Sequence, residues 1–261
     1  MRVLLVAGLA ATALLVLPFL QPIHQSLDYH AFADRRTIWG VPNFWNVVSN
    51  LAFLPVAVWG WRALRSPSAF LQNWERTAYG ILLAGVALVT FGSGYYHLSP
   101  SNATLFWDRL PMTIAFMALL ATTIGERISP SAGRLLLFPL LALGAASVLY
   151  WKFSDDLRLY VVVQFYPMLA IPLMLLLFPP RYTGTAGIFA MIALYGVAKL
   201  LELFDYQLAS SGHAWKHVAA AAAILCYVTM VKHRHPTWGQ HSPRLGETRA
   251  SATGTDRSWA P

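Results

Sequence analysis

The chain has 261 residues, of which 57% are hydrophobic, 13% aromatic and only 11% charged. A soluble domain carries roughly 25% charged residues, so the composition excludes a water-soluble globule, and recurrent uncharged apolar runs point to a polytopic membrane protein. The formal charge of +8 comes with no nucleic-acid-reading pattern; a basic excess of this kind belongs to loops beside a membrane, which sets nucleic acid aside as a partner.

Eight apolar segments follow one another at 3–20, 44–61, 77–97, 105–125, 135–151, 159–180, 182–204 and 210–231. Each is near the ~20 residues that a helix needs to span a bilayer. Open strands leave backbone groups unsatisfied in lipid, and the runs lack the alternation of a barrel, so the expected class is an all-α membrane bundle. Residues 1–22 read as an N-terminal transmembrane helix, uncleaved because LPFLQP at 17–22 lacks the small residues of a signal cleavage site. An exterior loop at 23–43, a seven-helix core at 44–232 and a disordered cytoplasmic tail at 233–261 complete the expected organisation. With eight helices, twelve basic residues fall on one side, among them Arg62, Arg65, Arg127, Arg134 and Arg181. The other side has only Arg35, Arg36, Lys152 and Arg158. The basic side, with the C-terminal tail, is expected to be cytoplasmic.

Ionisable residues inside membrane segments are costly and mark function. Here they gather at segment ends on the side with few basic residues: His97 in GSGYYHLSP, Asp108 in FWDRLP, Glu202 and Asp205 in KLLELFD, and His213 and His217 in SGHAWKH. His213 and His217 are four apart and share one helix face, as do Ser93 and His97 on another helix. The single cysteine, Cys226, cannot make a cysteine-based site, so any metal must be held by histidines and carboxylates. Three imidazoles from two helices form the ligand set of a hydrolytic zinc with an open fourth position, and Asp108 is placed to take a proton from water. The spacing alone is equally compatible with interhelical hydrogen bonds, and haem ligation by His97 with His213 or His217 is a further alternative.

The segments FWNVVSN at 44–50, GSGYYHLSPSNATLFWDRLP and ELFDYQLASSGHAWKH resemble the motifs of the alkaline ceramidase family. That family belongs to a wider membrane-hydrolase superfamily that includes the adiponectin receptors. The resemblance covers residues 28–232 and rests on a combined pattern: Ser93, His97 four later, Asp108 eleven beyond that, then a distant HxxxH. It implies a seven-helix core, zinc on His97, His213 and His217, action of Ser93 and Asp108 on substrate and water, and cleavage of an N-acyl sphingoid amide. The expected activity is thus zinc-dependent hydrolysis of ceramide or a related N-acyl lipid, a membrane lipid being the partner and the site facing the exterior or periplasm. A receptor-like relative with a structural zinc would carry the same residues. Nothing in the sequence identifies a protein partner.

One departure concerns calcium. Animal members carry a calcium site before the first core helix, built on an Asp-Trp-x-Glu-x-Asn stretch and a Glu just ahead of Phe-Trp-Asn. This chain reads LDYHAFADRR there, with Asn43 before Phe44, so calcium is not carried over, and Asp28 and Asp34 are expected in a solvated loop pairing with Arg35 and Arg36. Asn46, Ser49 and Asn50 share a helix face and are expected to bond neighbouring helices. Lys199 and Glu202 are expected to pair, Glu202 or Asp205 being able to orient a ligand histidine. Lys216 is expected to snorkel to headgroups, and Trp39, Trp45, Trp59, Trp61, Trp151 and Tyr160 to form an interfacial belt.

Overall fold

The computed structural model describes residues 1–208 and 211–237; most of these are helical, and among them there is no strand beyond two isolated β-bridges. In chain order the helices are α1 Arg2–Val16, α2 Phe44–Val48, α3 Phe53–Trp61, α4 Asn73–Leu98, α5 Asn102–Arg127, α6 Pro130–Ser154, α7 Arg158–Leu177, α8 Thr185–Leu203 and α9 Gly212–His233. A 3-10 turn at Ser49–Ala52 joins α2 to α3 within one span, Phe44–Arg65, so eight spans are long and apolar enough to cross a membrane. They coincide with the eight apolar segments, and the protein is an integral membrane protein. Helices α4, α5 and α6 begin before their apolar runs because polar caps satisfy the first backbone N–H groups. Glu75 accepts from the N–H groups of Leu71 and Gln72 at 2.9 and 3.1 Å, Ser101 accepts from that of Thr104 at 3.2 Å, and Pro130 opens α6 behind Ser129.

Lipid tails offer helices no hydrophobic reason to associate, so close packing decides the arrangement. Helix α5 sits between α4 and α6, α8 packs along α9, and α3 lies against α4 and α9. The core between them holds Tyr79, Leu83, Val86, Met117, Leu120 and Val228, while Leu135, Phe138 and Leu176 are exposed on the rim. Gly92 sets the α4–α5 distance: a Cβ there would lie 2.0 Å from the carbonyl oxygen of Trp107. Helix α1 stands apart, touching mainly α7, with Arg2 donating to Leu177 O at 2.9 Å.

The bundle's two ends differ. At the end where α5 finishes and α4 begins, Arg234 pairs with Glu126 at 2.5 Å and Arg181 with Glu75 at 3.2 Å, and the Tyr182 hydroxyl donates to Glu75 at 2.6 Å. This corrects the start of the expected disordered tail. His233 ends α9, Arg234 is buried over the Tyr182 ring, and Pro236 bridges Tyr182, because a guanidinium at this position finds both a carboxylate and an aromatic face. The rest of that tail, 238–261, lies outside the described residues.

At the opposite end the loop 23–43 is not simply solvated. Phe32 and Asp34 are buried, and Ala33 donates its N–H to Asp205 at 3.0 Å, so the loop covers the mouth of the bundle. An added methyl at position 92 must push α4 off α5, costing about 1–3 kcal/mol by overpacking. Gly92→Ala should therefore lower the unfolding temperature in detergent, whereas Gly94→Ala, whose Cβ would meet nothing within 4 Å, should leave it unchanged.

Candidate metal centre

His97 lies in the last turn of α4, and His213 and His217 lie in the first two turns of α9, where four-residue spacing stacks them on one face. All three are buried. Their ring centroids are 4.9, 5.0 and 5.2 Å apart, and one nitrogen from each lies within 4.8 Å of the others. Among the described residues this is the group of His, Cys, Asp and Glu side chains able to hold a metal ion.

Several contacts outside the triad fix its geometry. Asn43 donates from Nδ2 to the carbonyl oxygen of His97 at 2.9 Å. One oxygen of Asp205 accepts the His213 backbone N–H at 2.8 Å and the other accepts that of Ala33, tying the ends of α8 and α9 to the covering loop. The Phe32 ring lies 4.8 Å from that of His97 and 4.6 Å from that of His213. His217 has a directional partner, for its Nδ1 is 2.8 Å from Ser49 Oγ, which in turn lies 3.2 Å from the carbonyl oxygen of Asn46. The hydroxyl donates to that carbonyl, so Oγ accepts Nδ1–H, and the Nε2 lone pair of His217 is left for a ligand.

The residues fit a metal on the chemistry of their unsatisfied atoms. His97 Nδ1 and His213 Nε2 are buried with no hydrogen-bond partner, a costly arrangement for polar nitrogens unless a cation accepts a lone pair. Three nitrogen donors around one point suit a tetrahedral ion with a fourth position open. An axial haem pair places its two imidazoles on opposite faces of a macrocycle, and three rings gathered with centroids 4.9–5.2 Å apart leave no plane between them for one. For calcium the residues do not fit. The Asp34 carboxylate is occupied by Arg36 at 2.6 and 2.9 Å and by the Ser211 hydroxyl at 2.9 Å, and the Arg36 guanidinium holds its pKa down at about 2.

Ser93 and Asp108 are buried together with His217 in the wall of a cavity of about 710 Å³. The cavity runs into the bundle between apolar side chains such as Phe53, Leu82, Val86, Phe116, Met191 and Ile192. Every site residue singled out in the sequence thus meets at one end of the bundle. Three other sequence expectations need correction. Lys216 does not snorkel; it lines the cavity and pairs with Glu202 at 2.6 Å, as Lys199 does at 2.7 Å, because Glu202 lies between them. Trp151 and Tyr160 are buried around Arg109 rather than set in an interfacial belt, whereas Trp39, Trp45 and Trp61 are exposed. Asn46 and Asn50 do not bond neighbouring helices: Asn46 donates to Asp34 O in the covering loop and Asn50 to Asn46 O, and of the three residues on that face Ser49 makes the expected interhelical bond, to His217.

Comparison with known proteins agrees with this geometry. A family model described as Ceramidase matches residues 38–186. The chain belongs to the ceramidase family. Membership implies a membrane amide hydrolase. The matched stretch includes Ser49, Ser93, His97 and Asp108, and it ends before His213 and His217, which the fold brings to the same point. No curated protein matches the chain.

Outer hydrogen bonds of this kind are worth about 10–100-fold in metal affinity. Ser49→Ala should weaken metal binding by about that factor in a competition titration against a chelator, with Ser49→Thr retaining most of the affinity.

Proposed function

We propose that the protein is a zinc-dependent membrane amidase that hydrolyses ceramide or a related N-acyl lipid to a fatty acid and an amine-bearing lipid. The observation that carries this reading is the buried triad of His97, His213 and His217, of which His217 shares the wall of an apolar cavity with Asp108 and Ser93. Zinc bound there supplies Lewis acidity toward the amide carbonyl and toward water. The chain's own residues do the rest. Asp108 takes a proton from the attacking water and delivers it to the leaving nitrogen, so that a C–O bond forms as the C–N bond breaks. Ser93, in the same cavity wall as Asp108, donates to the carbonyl oxygen as negative charge builds there. The apolar wall holds the acyl chain, and Phe32 and the loop around it shield the centre from bulk water.

The basic asymmetry of the loops supports an orientation in which this centre faces the exterior or periplasm and the C-terminus is cytoplasmic. The basic residues Arg181 and Arg234 join Glu75 and Glu126 at the end of the bundle opposite the histidines.

Asp108→Asn should retain metal and lose hydrolysis by roughly 10²-fold or more. Replacement of His97, His213 or His217 by Ala should remove most of the zinc, read by elemental analysis of purified protein. Full metal retention in all three histidine variants would exclude the centre, and undiminished turnover of Asp108→Asn would assign the base elsewhere. For sidedness, single cysteines introduced as Ser101→Cys and Ser242→Cys in a Cys226→Ala background should differ toward an impermeant thiol reagent on intact cells. Labelling is expected at position 101 only, and the reverse pattern would place the site in the cytoplasm.

A further inference from the structure

The polar end of the cavity carries more cationic than anionic groups. Arg109, Lys199 and Lys216 line it against two carboxylates, Asp108 and Glu202. The two lysines share Glu202, at 2.7 and 2.6 Å. Arg109 has no carboxylate pair among the described residues. One terminal nitrogen donates to the neutral side chain of Gln25 at 2.5 Å, and the other, Nη1, is buried with no hydrogen-bond partner. Aromatic rings surround the group instead: the guanidinium carbon is 4.3 Å from the ring centroid of Trp151, 4.6 Å from that of Tyr160 and 5.6 Å from that of Tyr29.

A charged side chain this deep in a membrane bundle, 6% exposed, is expensive and is normally paired. At the opposite end of the same molecule Arg234 pairs with Glu126 and Arg181 with Glu75, while the buried Arg127 has its terminal nitrogens on Phe178 O and Thr185 Oγ1; Arg109 differs from all three in keeping one terminal nitrogen without any partner. At Arg109 the charge is held by ring faces, which stabilise a guanidinium without neutralising it, and with Nη2 on Gln25 the Nη1 group remains as a donor for an anionic acceptor. Arg109 is also the residue after Asp108, and Gln25 ties it to the covering loop, so it stands toward the membrane surface from the apolar part of the cavity that would hold the acyl chain.

Resting on the amidase reading above, we infer that Arg109 is a subsite for a carboxylate on the amine side of the scissile amide, so that the substrate class is N-acyl amino acids in preference to neutral N-acyl amines. The alternative source of a carboxylate is the fatty acid released from the acyl side.

The test uses the purified full-length zinc-loaded protein with two amides of one acyl chain, N-oleoylglycine and N-oleoylethanolamine, which differ in carboxylate against hydroxymethyl. The wild type should favour N-oleoylglycine in kcat/KM by about 10- to 100-fold, the worth of a charged hydrogen bond. In Arg109→Gln that ratio should collapse toward one, chiefly through the KM of N-oleoylglycine, and Arg109→Lys should restore part of it. A ratio affects only the discrimination between substrates, so a general loss of activity in a variant cancels. Equal kcat/KM values in the wild type, or a ratio unchanged in Arg109→Gln, would overturn the subsite. If instead Arg109→Gln weakens inhibition by free oleate and leaves the N-oleoylglycine ratio intact, the carboxylate at Arg109 is the product's, and the substrate inference fails. Should the wild type hydrolyse neither these amides nor N-oleoylsphingosine, the amidase reading fails separately. Thermal stabilisation of the wild type by the two amides then decides the subsite: greater stabilisation by N-oleoylglycine, lost in Arg109→Gln, upholds it, and equal stabilisation rejects it.

Discussion

Three imidazoles buried between α4 and α9 are the constraint from which most of this structure follows. An unpartnered ring nitrogen in a membrane interior loses its water without gaining a hydrogen bond, and His97 Nδ1 and His213 Nε2 are both in that position. A fold that tolerates this must fix the rings by other means, and each means has an identifiable residue. Asp205 ties the start of α9 to the end of α8 and to the covering loop, Ser49 orients His217 from the turn between α2 and α3, and Asn43 holds the last turn of α4. The same elements therefore serve the fold and the centre: α2 interrupts its span with a 3-10 turn at the point where Ser49 meets the histidine.

The contrast between the two ends of the bundle is electrostatic. Where Glu75, Glu126, Arg181 and Arg234 meet, each cation has a carboxylate, and the Arg234–Glu126 pair is almost wholly buried. Removing one member of such a pair leaves the other charged and unmatched, which gives that end its rigidity. At the other end, cations and carboxylates occupy the cavity wall unequally, and Arg109 is held by Trp151 and Tyr160. The difference lies in satisfaction more than in the presence of charge: buried Arg127 at the first end is satisfied by Phe178 O and Thr185 Oγ1, whereas Arg109 keeps Nη1 without a partner.

The eight spans were legible in the sequence because a bilayer turns helix length into a composition signal, and the site residues were legible because ionisable groups stand out within such runs. Ser93, His97, Asp108, His213 and His217 also lie at helix ends, where the up-and-down path of the chain fixes which end each belongs to. What spacing could not supply was direction. Lys216 is one residue from His217 and on a helical wheel faces elsewhere, yet Glu202 on α8 draws it to the cavity. Trp151 and Tyr160 have the composition of an interfacial belt, and only the packing of α5 against α6 and α7 shows them closed around a guanidinium. The loop 23–43 reads as polar and solvated, since a single Phe32 gives no periodicity from which its burial against two histidines can be inferred.

The shape of the cavity relates the centre to the membrane. Helices α7 and α8 follow each other in the chain yet touch little, α8 lying along α9 instead. Residues of both, including Met168 and Ile171 on α7 and Met191 and Ile192 on α8, line the same apolar space. Pro167 and Pro172 interrupt α7 along this wall, where a missing backbone donor weakens the helix and favours a bend. A lipid amide has its polar atoms at headgroup depth and its chain in the hydrocarbon, and drawing that chain through water would cost about 0.8 kcal/mol for each methylene exposed. A polar centre at the end of an apolar space between two loosely packed helices avoids that cost, because the chain exchanges one apolar surrounding for another while the amide moves only a short way along the membrane surface.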